Sequence, residues 1–514
     1  MLNFIKKTFL ISVFLLPIYF VLYKIYMPKV NAFGCFDDCA NFMAGYFLLN
    51  GKKLFSEIFF NHQPLMAYLS ELIQYISKPI NIYELVLRHR QFLLFFSFIL
   101  NFLLIFRFTW RAILFILLYE FSKFYLFGDR FLAEAFIVYP VIYLFGVAWD
   151  KLNQKKISSV DYILCGIFTW MIIFSREPFL LYALFIYLVV LWKQTDLKNK
   201  AISVFCFLLL TTLLFTNFSF SEYLFNVVTV NQQTILKGEI QNNNLFNVGI
   251  IRIFFYPVFI LFNGVWTFFR YYLIGLTIIF LGIITSLIKE KKQYRKIIFI
   301  LFSLGLLNLR YTLPGTSFYG AFHQLVWYGL YIFTLTTMLS TLIHNKKKLL
   351  ICVISIFCLF AYLIFSPNSF INENVSTHDQ YVINYNTELQ VGEIVRVLSE
   401  PTDTLFLDGY DDFIYWQAKR FSTYKYSWYT SFMPGFSKYR EARIEMFKAG
   451  LPDFYYGKTL PSELENKYQV FYQINDPPQK TSLYVSLDKK KKISVEKFKR
   501  AKEMFYYLIE PSED

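Results

Sequence analysis

Cysteine and histidine are scarce in this sequence, which has six cysteines and five histidines among 514 residues. Four of the cysteines lie inside apolar runs, namely Cys165, Cys206, Cys352 and Cys358. Cysteines in such runs are typically packing residues, so the sequence offers no even set for a disulfide framework. Cys35 and Cys39 bracket two aspartates, but no histidine–cysteine pair nearby completes a zinc site, and a four-residue spacing on a helix suits a disulfide poorly. We expect both to be free thiols and predict no bound metal.

Charged residues are also few, at 17% of the chain, whereas 56% of the residues are hydrophobic and 21% are aromatic. The apolar residues form blocks of about 16–22 residues without two-residue alternation, which favours membrane-spanning helices over a closed barrel. The net charge of +15 does not indicate nucleic-acid binding. Lysine and arginine lie largely in short loops between the blocks, which is the positive-inside pattern of a membrane protein.

The blocks predict an α-helical multi-span membrane protein with about eleven transmembrane helices. The N-terminal run resembles a signal peptide but lacks a small-residue cleavage site, so we predict an uncleaved first span. The stretch 254–287 is too long for one span, and we expect its first part, 254–266, to lie along the membrane interface. The predicted spans are 9–26, 91–106, 112–127, 131–149, 161–175, 178–192, 201–217, the second part of 254–287, 297–309, 322–343 and 349–365.

The charge pattern also predicts the orientation of the chain in a cell membrane. Lys6 and Lys7 precede the first span and place the N-terminus in the cytoplasm. Parity then puts a first loop (about 27–90), a second long loop (about 218–253) and the whole C-terminal tail on the outer face.

The composition changes at Ser366, where the polar linker SPNSFINENVSTHDQ begins. Beyond it, DTLFLDG, QVFYQI and SLYVSL predict strands, and DDFIYWQAKR and ISVEKFKRAKEMFYYLIE predict helices. We therefore predict a membrane domain over 1–366 and a small extracytoplasmic α/β domain over 367–514.

Two adjacent carboxylates, Asp37 and Asp38, follow the first span in the stretch GCFDDCANF. Ionised carboxylates are costly inside a bilayer but are tolerable at its outer face. The segment after them has helical spacing and ends at Asn50-Gly51, so one interpretation makes an aspartate the N-cap of that helix. The other makes an aspartate a general base that removes a proton from an acceptor hydroxyl or amine.

The residues from about 33 to 72 resemble the first outer loop of GT-C glycosyltransferases. The shared pattern is an acidic pair after the first span, a short helix, a glycine, an aromatic residue with an acidic one, and His-x-Pro-Leu opening another helix. The nearest pattern is that of the family 39-type enzymes, which include protein O-mannosyltransferases and lipid A aminoarabinose transferases. The rest of the chain matches by layout, with many spans, short inner loops and an outer C-terminal domain.

The resemblance implies an enzyme that transfers a sugar, with inversion, from a polyprenyl-phosphate carrier to a lipid, protein or glycan acceptor. It implies Asp37 as the catalytic base, but the family often has Glu where this chain has Asp38, so the choice between the two stays open. It places His62 and Gln63 on the acceptor side and Glu57 where the family often has an acidic residue. It implies no cofactor. A divalent cation on the two aspartates is less favoured, because the Asp-x-Asp and WWDYG-type motifs of the oligosaccharyltransferase branch are missing.

A lipid phosphate requires cations near the outer face, and arginine binds phosphate through its planar fork. The candidates at predicted outer ends of spans are Arg130, Arg176, Arg310 and His323. Asp129 and Glu134 form a polar cluster with Arg130 in FGDRFLAEAF. The alternative for each arginine is snorkelling at a span end, and for His323 a structural role.

Glu120 and Lys123 lie three residues apart inside a predicted span, where they are expected to pair on one helix face. Such groups have either a functional or a structural role.

Two other functions compete with a glycosyltransferase. A transporter or flippase for a lipid-linked glycan would carry paired polar residues near the middle of several spans. A polymerase or ligase of surface polysaccharide would centre on a large outer loop rich in arginine and histidine. The second long loop, SFSEYLFNVVTVNQQTILKGEIQNNNLFN, has neither residue, which counts against the last alternative.

Overall fold

The computed structural model describes residues 2–31, 34–35, 37–192, 197–236, 267–288, 294–308, 322–339, 346–367, 369–373, 375–409, 413–476 and 479–507. The predicted interfacial stretch 254–266 and Arg310 lie outside these residues. α-Helices make up most of the described chain, and a small sheet lies near its C-terminal end.

The helices, in chain order, are α1 (Leu2–Tyr26), α2 (Asp37–Leu49), α3 (Leu65–Ser77), α4 (Ile82–Phe108), α5 (Trp110–Glu120), α6 (Ala133–Leu152), α7 (Ser159–Ser175), α8 (Leu180–Leu191), α9 (Leu197–Phe215), α10 (Phe220–Leu224), α11 (Thr267–Ile288), α12 (Tyr294–Leu307), α13 (Leu325–Leu339), α14 (Lys346–Phe365), α15 (Thr377–Leu398), α16 (Phe413–Ala418), α17 (Ser437–Ala449), α18 (Leu487–Lys492) and α19 (Val495–Tyr507). The strands are β1 (Leu405–Asp408), β2 (Phe454–Gly457), β3 (Tyr468–Asp476) and β4 (Gln479–Ser486). After α10 the backbone continues as π-helix over Phe225–Val230 and Gln232–Leu236.

Six stretches of the described chain are helical, long and apolar enough to cross a bilayer. They are Ile5–Lys29, Ile82–Phe108, Ala133–Leu152, Leu197–Phe215, Phe269–Ile288 and Leu349–Asn372. Two shorter apolar helices cover Ser159–Ser175 and Glu177–Leu191. The prediction of a helical membrane protein is thereby confirmed, and the number of eleven spans stays a prediction.

The chain divides into two compact units that do not follow chain order. The membrane unit comprises Met1–Pro28, Arg90–Leu214 and Leu236–Val375. The loop–tail unit comprises Lys29–His89, Phe215–Ile235 and Ser376–Asp514. The C-terminal residues therefore share a compact unit with two segments that the sequence analysis assigns to the first and second outer loops. The predicted division at residue 366 stays a prediction.

Arginine and aspartate residues of neighbouring helices form ion pairs in the membrane unit. Arg107 lies 2.9 Å from Asp150 and 2.7 Å from Asp161, and Arg111 lies 3.1 Å from Asp150. Asp161 also forms a capping box with Ser158, which fixes the start of α7. These contacts join α4, α5, α6 and α7 at the end where basic loops were predicted.

The C-terminal part of the loop–tail unit contains a four-stranded sheet in the order β1-β2-β4-β3. β1 and β2 are parallel, and their connection contains α16 and α17, as a parallel pair requires a long crossover. β4 is antiparallel to both β2 and β3.

Three strands and two helices predicted for this region are confirmed, as β1, β3, β4, α16 and α19. Strand β2 and helices α15, α17 and α18 were missed. Part of the predicted polar linker, from Thr377 onward, is helical in α15.

Within the loop–tail unit, α2 and α3 form a close antiparallel-type hairpin around Gly45. A Cβ atom at Gly45 would lie 2.6 Å from the backbone nitrogen of Glu71 and 2.6 Å from Oγ of Ser70. Gln74 of α3 donates a hydrogen bond to the carbonyl of Phe42 at 2.8 Å. A glycine is required at position 45 because the backbone of α3 occupies the space that a side chain would need.

Gly45→Ala is expected to destabilise this unit by about 1–3 kcal/mol, the usual cost of overpacking against a rigid neighbour. The measurement is the fraction of monodisperse protein that remains after heating in detergent. Gly435→Ala serves as the matched control, because Gly435 is in the same unit and a Cβ atom there meets nothing within 4 Å. Equal stability of the two variants would show that α3 does not pack on Gly45 as described.

Candidate functional site

The two aspartates singled out in the sequence lie in the first turn of α2, which begins at Asp37. Asp38 is fully buried, at 0% exposure, whereas Asp37 is half-buried. The predicted helix after the pair is confirmed and ends at Leu49, before a turn in which Gly51 has φ +81°. A carboxylate in the first turn is stabilised by the positive end of the helix dipole. Both aspartates therefore have a structural reason for their position, and only Asp37 is open to solvent.

The expectation that Cys35 and Cys39 are free thiols is wrong. The two residues form a disulfide, with Cα atoms 5.6 Å apart. The spacing argument failed because Cys35 precedes the first helical turn and is not part of α2. The distance between the two Cα atoms lies within the usual range of a disulfide. The four other cysteines are free, as expected.

Cys35, Asp38 and Cys39 are also the one group of three potential metal ligands found among the described residues. Their ligand atoms lie within 4.8 Å of one another, and Oδ1 of Asp38 lies 3.4 Å from Sγ of Cys35. The disulfide uses the two sulfur atoms that a metal would need as thiolates. Asp38 alone does not make a metal site, and the absence of a metal stays a prediction.

The acceptor-side candidates occupy different environments in the loop–tail unit. Glu57 accepts a hydrogen bond from the backbone N–H of Lys53 at 2.9 Å, within a local turn. His62 is half-buried, and its ring lies 5.5 Å from that of Phe60. Gln63 is buried and accepts a hydrogen bond from the hydroxyl of Tyr223 at 3.0 Å. Pro64 directly precedes α3, which confirms the predicted helix after the His-x-Pro-Leu motif.

Two donor-side candidates meet Glu134, a residue of the predicted polar cluster, in the membrane unit, although the three are far apart in the sequence. Nε of Arg176 donates to Oε1 of Glu134 at 3.0 Å, and Nδ1 of His323 lies 3.4 Å from the same oxygen. Glu134 and Arg176 are buried, and His323 is half-buried. Glu134 begins the first turn of α6, Arg176 follows the last residue of α7, and His323 precedes α13. The contact through Nε fixes the orientation of the guanidinium, as a cation that binds a phosphate would need.

Asp129 and Arg130 lie between α5 and α6, where both are buried. Nη1 of Arg90 lies 3.9 Å from Oδ2 of Asp129. Burial raises the pKa of the Asp129 carboxyl above its ordinary value, although the charges of Arg90 and Arg130 oppose that shift. Sequence analysis treated Arg90 only as the end of a loop. The sequence feature that could have identified Arg90 is the polar segment LRHRQF ahead of a long apolar run.

Arg90, Lys123 and Asp129 line a small cavity in the membrane unit, together with apolar side chains. The volume of this cavity is about 10 Å³, which is enough room for one water molecule. The other lining residues are Tyr26, Met27, Leu93 and Leu94.

The predicted pairing of Glu120 with Lys123 is confirmed, since Nζ of Lys123 lies 2.6 Å from Oε2 of Glu120. Asn101 and Tyr139 each donate to Oε1 of Glu120, at 2.7 and 2.8 Å. Lys123 also donates to the hydroxyl of Tyr139 at 3.1 Å. The contacts of Asn101 and Tyr139 with Glu120 were not predicted, because single polar residues in apolar runs do not reveal which helices face each other.

Compared with protein-family models, with curated proteins and with solved structures, the chain gives no significant match. The resemblance to GT-C glycosyltransferases therefore rests on the residues of the first outer loop and on the layout of the chain.

The disulfide and the predicted side of the membrane are tested together by thiol labelling. In a variant with alanine at the four free cysteines, we expect a membrane-impermeant maleimide added to intact cells to label the chain only after reduction, at two sites. This follows because Cys35 and Cys39 are bonded and the topology places them outside.

The matched control keeps Cys35 and replaces Cys39 with serine, which leaves one thiol that needs no reduction. Labelling of the first variant without reduction would contradict the disulfide. Labelling of the control only after the cells are lysed would contradict the topology.

Proposed function

We propose that this chain is a membrane glycosyltransferase of the GT-C type that uses a polyprenyl-phosphate sugar as donor and acts on the outer face of the membrane. The observation that carries the proposal is the arrangement of Asp37 and Asp38 in α2. Asp37, which the resemblance makes the base, is the more exposed carboxylate of the pair, and Asp38 is buried. A general base must reach the proton that it removes, so exposure favours Asp37.

The composition of the loop–tail unit supports the topology that this proposal requires. Its segments, Lys29–His89, Phe215–Ile235 and Ser376–Asp514, are separated in sequence by predicted spans. Segments that fold together into one unit lie on the same side of a bilayer. The positive-inside pattern assigns all three to the outer face, on the basis of the basic loops elsewhere in the chain. The same pattern supports a multi-pass cell-membrane protein with a cytoplasmic N-terminus.

The proposed reaction is a single displacement at the anomeric carbon. An oxygen or nitrogen of the acceptor forms a bond to that carbon while Asp37 takes the proton from the attacking group. The bond between the anomeric carbon and the phosphate oxygen breaks, and the polyprenyl phosphate leaves with the electron pair. The configuration is inverted because attack and departure occur on opposite faces.

The donor phosphate is assigned to Arg176 and His323, with Glu134 as the residue that orients both. Arg130 and Arg310 remain further candidates from the sequence. Arginine suits this role because its charge does not depend on pH and its planar fork matches a phosphate. The acceptor is a lipid, a protein or a cell-envelope glycan, and His62 and Glu57 are the proposed acceptor-side residues. Gln63 is a weaker candidate, since its side-chain oxygen is bonded to Tyr223.

A flippase for a lipid-linked glycan is the second candidate. The buried network of Glu120, Lys123, Asn101 and Tyr139 is the observation that favours it, because transporters carry paired polar groups inside the bilayer. A flippase would keep its activity without an ionised carboxylate at Asp37.

Replacing each aspartate separately distinguishes a base from a structural carboxylate. We expect Asp37→Asn to lower turnover by about 10²–10⁴-fold, the usual contribution of a general base, with donor binding retained. We expect Asp38→Asn to lower thermal stability more than Asp37→Asn does, since Asp38 is the buried residue. The measurement is transfer from a panel of radiolabelled polyprenyl-phosphate sugars to an envelope extract, in detergent.

The reference for this comparison is wild-type protein, which must be active on at least one donor of the panel. Unchanged transfer by both folded variants would reject an aspartate base. Absence of transfer by wild-type protein from every donor of the panel would favour the flippase.

The role of Arg176 is tested by measuring the KM for the donor rather than the turnover. We expect Arg176→Ala to raise the KM for the lipid-phosphate donor by at least about tenfold and Arg176→Lys to raise it less, because lysine keeps the charge but not the fork. Arg107→Ala is the matched control, since Arg107 is a paired arginine in the same unit at the end predicted to be cytoplasmic. It is expected to lower stability and leave the donor KM unchanged. An equal KM for the two alanine variants would leave Arg176 as a structural residue.

A further inference from the structure

We propose that the loop–tail unit binds the outer leaflet of the bilayer directly, through the apolar outward faces of α3 and of the helical segment 220–230. The ligand is a lipid surface, contacted by residues outside the predicted spans. The inference does not depend on the proposed enzymatic activity.

Helix α3 carries apolar residues on two sides, one buried and one exposed. One face packs inside the loop–tail unit and contains Met66, Ala67, Ser70, Ile73 and Gln74. On the other side, Tyr75 is 67% exposed and Ile76 is 71% exposed, and Leu72 is exposed as well. Ile80, three residues beyond the end of the helix, is also exposed. A cluster of large apolar side chains that faces away from the unit marks an interaction surface.

The segment after α9 repeats this arrangement. Tyr223, Val227 and Val230 are buried in the unit, whereas Phe220, Leu224 and Val228 are exposed. The three exposed residues are spaced four apart and therefore lie along one side of a helix. Phe220 is 57% exposed.

The segments that carry the two apolar faces are hydrogen-bonded to each other. The hydroxyl of Tyr223 donates to Oε1 of Gln63, two residues ahead of α3. Nδ2 of Asn61 donates to Oδ1 of Asn231, one residue beyond the first π-helical segment. Gln63 and Tyr223 are both buried, so this connection is part of the core of the unit.

Chain connectivity identifies lipid as the occupant. α3 ends at Ser77, and α4, a predicted membrane-crossing helix, begins at Ile82. The four intervening residues span at most about 14 Å. α4 has 27 residues and is about 40 Å long, which matches a bilayer including its headgroup layers. Since the predicted span begins at residue 91, the first residues of α4 extend outward from it, and the end of α3 lies close to the outer surface of the bilayer.

The second apolar face follows a membrane-crossing helix in the same way. α9 ends at Phe215, and Phe220 begins the exposed series only five residues later. Helices at this level bury an apolar face about 5–10 Å into the boundary between headgroups and acyl chains. Lys78, exposed at the end of α3, suits an anionic headgroup beside that face.

The rest of the loop–tail unit has a different surface. The exposed large apolar residues of the C-terminal part are separated from one another in the sequence. Ile444 in α17, for example, is 46% exposed and is followed directly by Glu445. Single exposed apolar residues are normal on a protein that faces water. The apolar exposure of the unit is thus concentrated in the two segments that adjoin membrane helices.

Spin labels test the contact without any knowledge of the substrate. Single cysteines replace Ile76, Val228 or Ile444 in a protein without the four free cysteines, and each carries a nitroxide. The protein is placed in nanodiscs of phosphatidylcholine and phosphatidylglycerol in equal parts. Collisions of each label with oxygen, which concentrates in lipid, are compared with collisions with a water-soluble nickel chelate.

We expect the labels at positions 76 and 228 to favour oxygen at least about tenfold more, relative to nickel, than the label at 444. Position 444 is the matched control, since it replaces an exposed apolar residue on a helix of the same unit. Nickel accessibility at 76 or 228 equal to that at 444 would overturn the proposal, because that face would lie in water. Protection of either site from both agents would also overturn it, because the face would then be covered by protein.

Discussion

The packing of α2 against the C-terminal part of the chain is the constraint on which the rest of the loop–tail unit depends. Phe42 stacks on Phe413 with ring centroids 6.0 Å apart, and Phe47 contacts Tyr415 and Trp428 at 5.8 and 5.4 Å. All five rings are buried. Aromatic pairs of this kind contribute about 0.5–1.5 kcal/mol each beyond the area that they bury. They join residues that are more than 360 positions apart, so they fix the first loop and the tail to one another.

The same packing positions the segment that carries the two aspartates. Nδ2 of Asn384 in α15 donates to the carbonyl of Asn31 at 2.7 Å. Gly34, with φ +63°, brings the backbone close to Asn384, where a Cβ atom would lie 3.3 Å from that side chain. The turn before Cys35 is thus attached to the C-terminal domain, and the disulfide attaches Cys35 to the first turn of α2. The C-terminal part of the chain thus contacts the first loop on both sides of the aspartates, at Asn31 before them and at Phe42 after them.

Periodicity and charge pattern predicted the membrane character, the apolar helices, the α2 and α3 helices of the first loop and most strands of the sheet. These are local properties of the chain, and each depends on neighbouring residues. The features that were missed depend on partners far away in the sequence. Strand β2 has only four residues, FYYG, and is recognisable only by its pairing with β1 and β4.

The same limit applies to the candidate site. The sequence suggested Glu134, Arg176 and His323 one by one, as polar residues at the ends of spans. It does not show that the carboxylate of Glu134 contacts both Arg176 and His323. The Cys35–Cys39 disulfide was excluded on the geometry of a regular helix, and Cys35 lies just outside that helix. Sequence reasoning thus found the residue types and the local structure, while the pairing of residues required the fold.

The unequal burial of Asp37 and Asp38 explains why a chain would keep two adjacent carboxylates after its first span. Adjacent residues on a helix point about 100° apart, so the first turn of α2 directs one aspartate into the unit and leaves the other at its surface. A buried carboxylate is costly unless it is bonded, and the helix N-terminus offers backbone N–H donors at this position. Asp38 therefore lies in the first turn, where the helix dipole stabilises a carboxylate, and Asp37 is the residue that we propose as the base. Under the proposed function, the structural interpretation fits Asp38 and the catalytic interpretation fits Asp37.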